Sequence, residues 1–226
     1  MFNYDTTQPT IRQLSDVTNP VTGIRYYILP SGEQYPSITT ILGHFKSIEL
    51  QDWRNNVGEG VANRKMKMAA LKGTSLHDTI EKYLRNQPTH NIYSNMPDVT
   101  AMFKKAKVIL DQHVNDICYI EQTLWSDMYK IAGRCDLIAR WDGIPAIIDF
   151  KTADRLKDEK EILNYFEQLT GYGLMLKERT GLVVERIISF ITNTDLHWQP
   201  QVFEKEPGQY VDSLLDKINQ YKELNK

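Results

Sequence analysis

Two aspartates, Asp136 and Asp149, stand thirteen residues apart, and Lys151 follows the second by two. Carboxylates brought together beside an ammonium are suited to holding a hard divalent cation and a phosphate at once. Between them lies Asp142-Gly143, a dipeptide that favours a two-residue hairpin turn because both positions tolerate positive φ. Short apolar runs, Leu137-Ile138-Ala139 and Ala146-Ile147-Ile148, flank it. Counting outward from a Trp141–Ile144 pair sets Asp136 opposite Asp149 at a non-hydrogen-bonded position, where Cα atoms approach to about 4.5 Å. Pro145 then also falls where its missing N–H costs no ladder bond. Side chains alternate along a strand, so Asp149 and Lys151 share one face while Ile148 and Phe150 point into a core.

Opposed carboxylates destabilise a sheet unless positive charge lies between them. A divalent cation satisfies that need, with the Phe150 main-chain carbonyl as a further ligand. The same register sets Arg134 opposite Lys151, so the four charges make either a cation site or a self-neutralising cross-strand quartet.

The elements that must carry these residues are legible in outline. At 226 residues, with 41% hydrophobic and 25% charged residues, the chain has the composition of an ordinary globular protein able to bury a large core. Its net charge of −2 gives no global basic signature of nucleic-acid binding. Basic residues do cluster: Arg64, Lys65, Lys67 and Lys72 fall in an acid-free stretch from Val61 to Ser75, and Lys104, Lys105 and Lys107 form a second knot. The only cysteines, Cys118 and Cys135, cannot build a four-cysteine zinc or iron–sulfur site. No apolar run reaches the roughly eighteen residues of a membrane span, and the N-terminus lacks transit-peptide character. A cytoplasmic protein with no membrane partner is expected.

Along the chain, residues 21–41 read as a hairpin around Pro30-Ser31-Gly32. A helical region from Asp52 to Leu71 is interrupted near Gly58 and Gly60. Gly73-Thr74-Ser75 reads as a turn and N-cap, with Asp78 as its capping-box partner. In the helix that follows, His77 and Glu81 lie one turn apart and make either a metal-binding pair or an ordinary helix-surface contact. A loop over Asn86 to Asp98, a helix over Val99 to Val114, a strand from Cys118 to Trp125 containing Glu121, and the hairpin come next. A long helix from Lys157 to Arg179 carries Gln168 and Tyr172 at the edge of its apolar stripe, a pairing suited to phosphate or base contact and equally common as structure. Strands over Val183–Thr192 and Val202–Glu204 and a helix over Tyr210–Leu224 complete the chain. This order predicts an α/β fold, a central mixed β-sheet flanked by helices, with an N-terminal helical region.

Asp136, Asp149-Phe150-Lys151 and Gln168-x-x-x-Tyr172, preceded by Gly73-Thr74-Ser75-Leu76-His77, resemble the PD-(D/E)XK nuclease superfamily, specifically its RecB-like branch. Tyr35-Pro36-Ser37-Ile38-Thr39-Thr40-Ile41-Leu42 is further similar to standalone exonucleases of the phage and mitochondrial genome-maintenance type. The resemblance covers about residues 35–195. It implies a restriction-endonuclease-like core in a single domain over 1–226: a hairpin and helical addition (1–72), a catalytic core (73–195), and a C-terminal strand and helix (196–226).

It further implies that Asp136 and Asp149 ligate Mg²⁺ or Mn²⁺, with His77 as an additional ligand, and that Lys151 positions or activates the attacking water. Gln168 and Tyr172 would hold the DNA or the lysine. Arg134 would clamp the scissile phosphate or pair with an aspartate, and Glu121 and Glu81 are further candidates. The implied activity is metal-dependent exonucleolytic hydrolysis of DNA, single-stranded or with free ends, beside phage or bacterial replication, recombination or repair proteins. A structure-specific or flap endonuclease and a catalytically silent DNA-binding protein are the alternatives. The iron–sulfur cysteines of some RecB-like nucleases are absent, as are Walker motifs.

Overall fold

Asp142 at φ 50° and Gly143 at φ 80° close the central hairpin with two consecutive left-handed residues, the conformation that matches the twist of the flanking strands. From that turn β5 (Ile131–Trp141) and β6 (Ile144–Ala153) pair antiparallel from Trp141↔Ile144 to Leu137↔Ile148. The register is the one counted from the sequence. The structure is a computed structural model that describes residues 1–89, 96–195 and 197–225, with backbone alone for 47–50.

Upstream of the hairpin lie β1 (Ser15–Thr18), β2 (Arg25–Ile28), β3 (Gln34–Pro36), α1 (Ile38–His44), α2 (Ser47–Val57), α3 (Glu59–Leu84), α4 (Pro97–His113) and β4 (Val114–Ser126). Downstream lie α5 (Leu163–Thr180), β7 (Arg186–Asn193), β8 (Gln201–Lys205) and α6 (Val211–Leu224). The five-stranded sheet has the order β4-β5-β6-β7-β8. Only β6 and β7 run parallel, joined through α5, and the other neighbours are antiparallel. A crossover helix is what a parallel pair requires. A separate antiparallel sheet, β1-β2-β3, packs Leu14, Tyr27, Leu29 and Tyr35 over Ala132 of β5.

Each face of the large sheet buries its own apolar layer. On one side Ile147, Ile187 and Ile191 pack with Ile38 and Ile41 of α1, Phe166, Leu169 and Met175 of α5, and Leu214 and Ile218 of α6. On the other, Ile148, Phe150, Ile188 and Phe190 pack with Leu76, Ile80 and Leu84 of α3 and Met102, Ala106 and Leu110 of α4. The predicted mixed sheet with helices on both faces is therefore the observed one. Among the described residues no helix is long and apolar enough to cross a membrane.

Local stop signals mislead in three places. The predicted turn at Gly73-Thr74-Ser75 does not form; α3 runs unbroken through it. Ser75 is buried with its hydroxyl on the Met96 sulfur, and Thr79 donates to the Ser75 carbonyl, so packing against α4 overrides the weak helix formers. The break expected near Gly58 and Gly60 does form, at Gly58, φ 83°. Asp158 does build a capping box, but it opens a 3₁₀ turn, Glu159–Ile162, ahead of α5. Of the predicted loop over Asn86 to Asp98, residues 90–95 lie outside the described residues, and Pro97 already begins α4.

Candidate active site

The β5–β6 ladder ends at Leu137↔Ile148, one step before the two aspartates. Cys135 and Phe150 would form the next hydrogen-bonded pair, but β5 turns away towards β4. The Phe150 N–H donates instead to Asp136 Oδ2 at 2.8 Å. Asp136 thus sits at the fork where two strands separate, its side chain replacing a lost main-chain acceptor.

Asp149 stays on β6, 1% exposed, in the parallel ladder opposite Ser189. Its Oδ1 accepts from Gln168 Nε2 at 3.0 Å, and the same amide nitrogen donates to the Tyr172 hydroxyl at 3.1 Å. Its Oδ2 forms an ion pair with Lys151 Nζ. Burial alone would depress the Lys151 ammonium, but the Asp149 and Asp136 carboxylates outweigh it and hold the pKa above its ordinary value.

A third acid completes a row. In β4, Ile120↔Leu137 and Gln122↔Cys135 flank Glu121, which the register sets opposite Asp136. Neighbouring strands β4, β5 and β6 therefore each present one carboxylate at the same level. Glu121 adopts φ 52°, a strained conformation for a non-glycine residue of the kind that clusters at functional sites. Burial, then the Asp136 and Glu81 charges, push its carboxyl up to about 8 against the pull of Arg134 and Arg85. Burial and Asp149 push Asp136 up to about 6, opposed by His77, Lys151 and the Phe150 N–H.

α3 brings His77 to this row. Its Nε2 lies 2.6 Å from the Phe150 carbonyl, which can only accept, so Nε2 carries the hydrogen. Nδ1 then faces Asp136 Oδ2 at 3.5 Å. A proton or a cation between them would turn these facing lone pairs into an attraction. One donor atom each from His77, Glu121 and Asp136 lies within 4.8 Å of the others. The set fits a divalent cation, and the main-chain bond on Nε2 is the usual way of orienting a ligating imidazole.

The structure thus groups His77, Glu121 and Asp136 as one cluster, with Asp149 and Lys151 as an adjoining pair braced by Gln168 and Tyr172. The Phe150 carbonyl, expected to face an ion, accepts from His77. Glu81 lies outside the cluster and takes Arg85 Nε at 2.9 Å. Arg134 is not opposite Lys151, and the cross-strand quartet does not form. Because β5 leaves β6, Arg134 pairs with Thr123 on β4 and approaches Asp16 at 3.7 Å.

Tyr165 and Lys46 stand beside the Asp149–Lys151 pair without having been singled out by the sequence. The Tyr165 ring holds Lys151 Nζ 5.4 Å and Lys46 Nζ 5.8 Å from its centroid, and Lys46 Nζ also donates to the Glu161 carbonyl at 3.1 Å. The available signal was spacing: Tyr165 lies one turn before Gln168 on the same helix.

No curated protein matches the chain. Among solved structures, 19 chains are similar. One is a Eubacterium rectale protein named as a candidate exonuclease, at 13% identity and TM-score 0.41, covering 68% of this chain. This chain spans 64% of that protein's length. Another is SSO0001, at 14% identity and TM-score 0.33, covering 70% of this chain and 75% of its own. The family model of the PD-(D/E)XK nuclease superfamily matches residues 101–223, more than half the chain and the stretch that bears Glu121, Asp136, Asp149, Lys151, Gln168 and Tyr172. With three acids in a row and a lysine on the last, this chain belongs to the PD-(D/E)XK nuclease superfamily.

Proposed function

We propose that the protein is a divalent-metal-dependent deoxyribonuclease of the RecB-like branch, hydrolysing phosphodiester bonds from free ends of single-stranded DNA. The observation that carries the reading is the carboxylate row Glu121–Asp136–Asp149 with Lys151 paired to its last member.

His77, Glu121 and Asp136 are the residues that would hold Mg²⁺ or Mn²⁺, with Asp149 adjoining. When bound, such a cation supplies Lewis acidity, acidifying water and offsetting charge on phosphate oxygens. Lys151 contributes a fixed positive charge where water is largely excluded, so its pull on a phosphate exceeds that of a solvated lysine. Gln168 orients Asp149, and Tyr172 orients Gln168. The setting proposed is phage or bacterial DNA replication, recombination or repair, in the cytoplasm, alongside other proteins of those processes. Residues 73–195 would form the catalytic core of a single domain.

The test is digestion of end-labelled linear single-stranded DNA and a closed single-stranded circle, with Mg²⁺, with EDTA, and with Lys151→Ala. Loss of the linear strand alone, abolished by EDTA and cut at least a hundredfold by the substitution, is the expected result. Cutting of the circle would replace the exonuclease with an endonuclease. Cleavage of neither under any divalent metal would overturn the catalytic reading.

A further inference from the structure

Upstream of Gly73, α3 leaves the body of the protein. A Cβ on Gly73 would lie 3.6 Å from Thr152 Oγ1, which fixes where the helix seats on β6, and Lys72 Nζ reaches Asp98 of α4 at 2.7 Å. Between residues 61 and 71 every side chain but Ala62 is exposed. α2 accompanies this half, with Arg54 donating to Asn63 Oδ1 at 2.8 Å and to Met66 Sδ at 3.3 Å.

Two properties set this surface apart. Arg64, Lys65 and Lys67 engage no carboxylate among the described residues, and the stretch 61–75 contains no acid. Large apolar side chains stand exposed among them: Met66 at 40%, Met68 at 49% and Leu71 at 46%. Arg64, Lys67, Met68 and Leu71 share one helix face by their three- and four-residue spacing.

We infer that residues 61–72 form a landing surface for a single nucleic-acid strand outside the site; the inference rests on the nuclease reading above. Charge complementarity selects a polyanion. The mixing of cations and apolar groups on one face argues against a bilayer, which needs them segregated to opposite faces. It also favours a single strand over a duplex, since only an unpaired strand offers base faces beside its phosphates. The surface shares its helix with His77, about 15 Å along the axis from Lys67, so a strand held there stays within reach of the site.

The test is fluorescence anisotropy of an end-labelled oligothymidylate, long enough to extend from the site past residue 61, in EDTA and over a range of salt. The wild type is compared with R64Q/K65Q/K67Q, glutamine being nearly as good a helix former as lysine or arginine. The expected result is a Kd raised about tenfold or more and a log–log salt slope flattened by about 2, three phosphate contacts at about 0.7 each. Equal Kd and slope for the two proteins would overturn the inference. So would loss of binding to anionic phospholipid vesicles with strand binding intact. Substitution-sensitive binding by a wild type that cleaves nothing would leave the surface standing and overturn only the catalytic reading, whereas a wild type that neither binds nor cleaves would overturn both.

Discussion

Gln168 spends a single amide nitrogen on two oxygens, Asp149 Oδ1 and the Tyr172 hydroxyl, in a position only 7% exposed. Removing it strands buried polar groups, a loss that costs about 1–3 kcal/mol. Gln168→Ala is therefore expected to lower the unfolding free energy by that amount, read as a lower denaturant midpoint. It should also reduce kcat more than KM, because Asp149 would lose its orientation. An unchanged midpoint and unchanged kcat would show that Asp149 is held by Lys151 alone. Glutamine at 168 was identifiable from its spacing to Tyr172, but its partner was not: the sequence pointed to DNA or the lysine, and the amide turned out to face the aspartate.

At the level of elements, what the sequence conveyed well was local geometry. Asp142-Gly143 dictated the turn, the turn dictated the register, and the register brought the two aspartates to adjacent positions. What it did not convey was where the ladder stops. β5 parts from β6 beyond the Leu137–Ile148 pair while keeping its ladder to β4, and that separation carries Arg134 off the lysine's face. Glu121 was named as a further candidate on its strand, but its backbone was not legible, because no side-chain pattern announces a positive φ within a strand. The persistence of α3 through Gly73 is a third case, decided by Ser75 and Leu76 packing rather than by caps. The fork itself has a tight tolerance. A Cβ on Gly133 of β5 would come 2.7 Å from Tyr172 Cε1 and 3.1 Å from Ile38 Cγ2, both in side chains at most 1% exposed. Gly133→Ala should cost about 1–3 kcal/mol by overpacking and depress kcat by displacing the tyrosine that seats Gln168. Gly43→Ala, where a Cβ meets nothing within 4 Å, should leave kcat unchanged and keep or raise stability, alanine being the better helix former. Equal behaviour of the two variants in thermal melts and turnover would refute the coupling between packing and site.

For the molecule as a whole, the acid row means that part of the folding free energy is given up to hold the site. Glu121 is raised from an ordinary 4.5 to about 8 and Asp136 from 3.8 to about 6. Both carboxyls bind protons more tightly folded than unfolded. Their contribution is fully present below the ordinary values and is lost as pH rises through the folded ones, because the unfolded state then binds fewer protons. Without metal, the row should therefore weaken the fold progressively between about pH 4 and 8. Mg²⁺ or Mn²⁺ at the same groups requires the deprotonated forms, and binding to the folded state alone stabilises it. The rise in Tm on adding Mg²⁺ should accordingly be small at pH 5.5 and largest near pH 8.5, and Glu121→Gln should raise the metal-free Tm at pH 8.5 while shrinking the metal-dependent rise. Differential scanning calorimetry across that range decides the matter: a metal-dependent rise that is independent of pH, or greatest in acid, would mean that the cation is not held by these carboxylates.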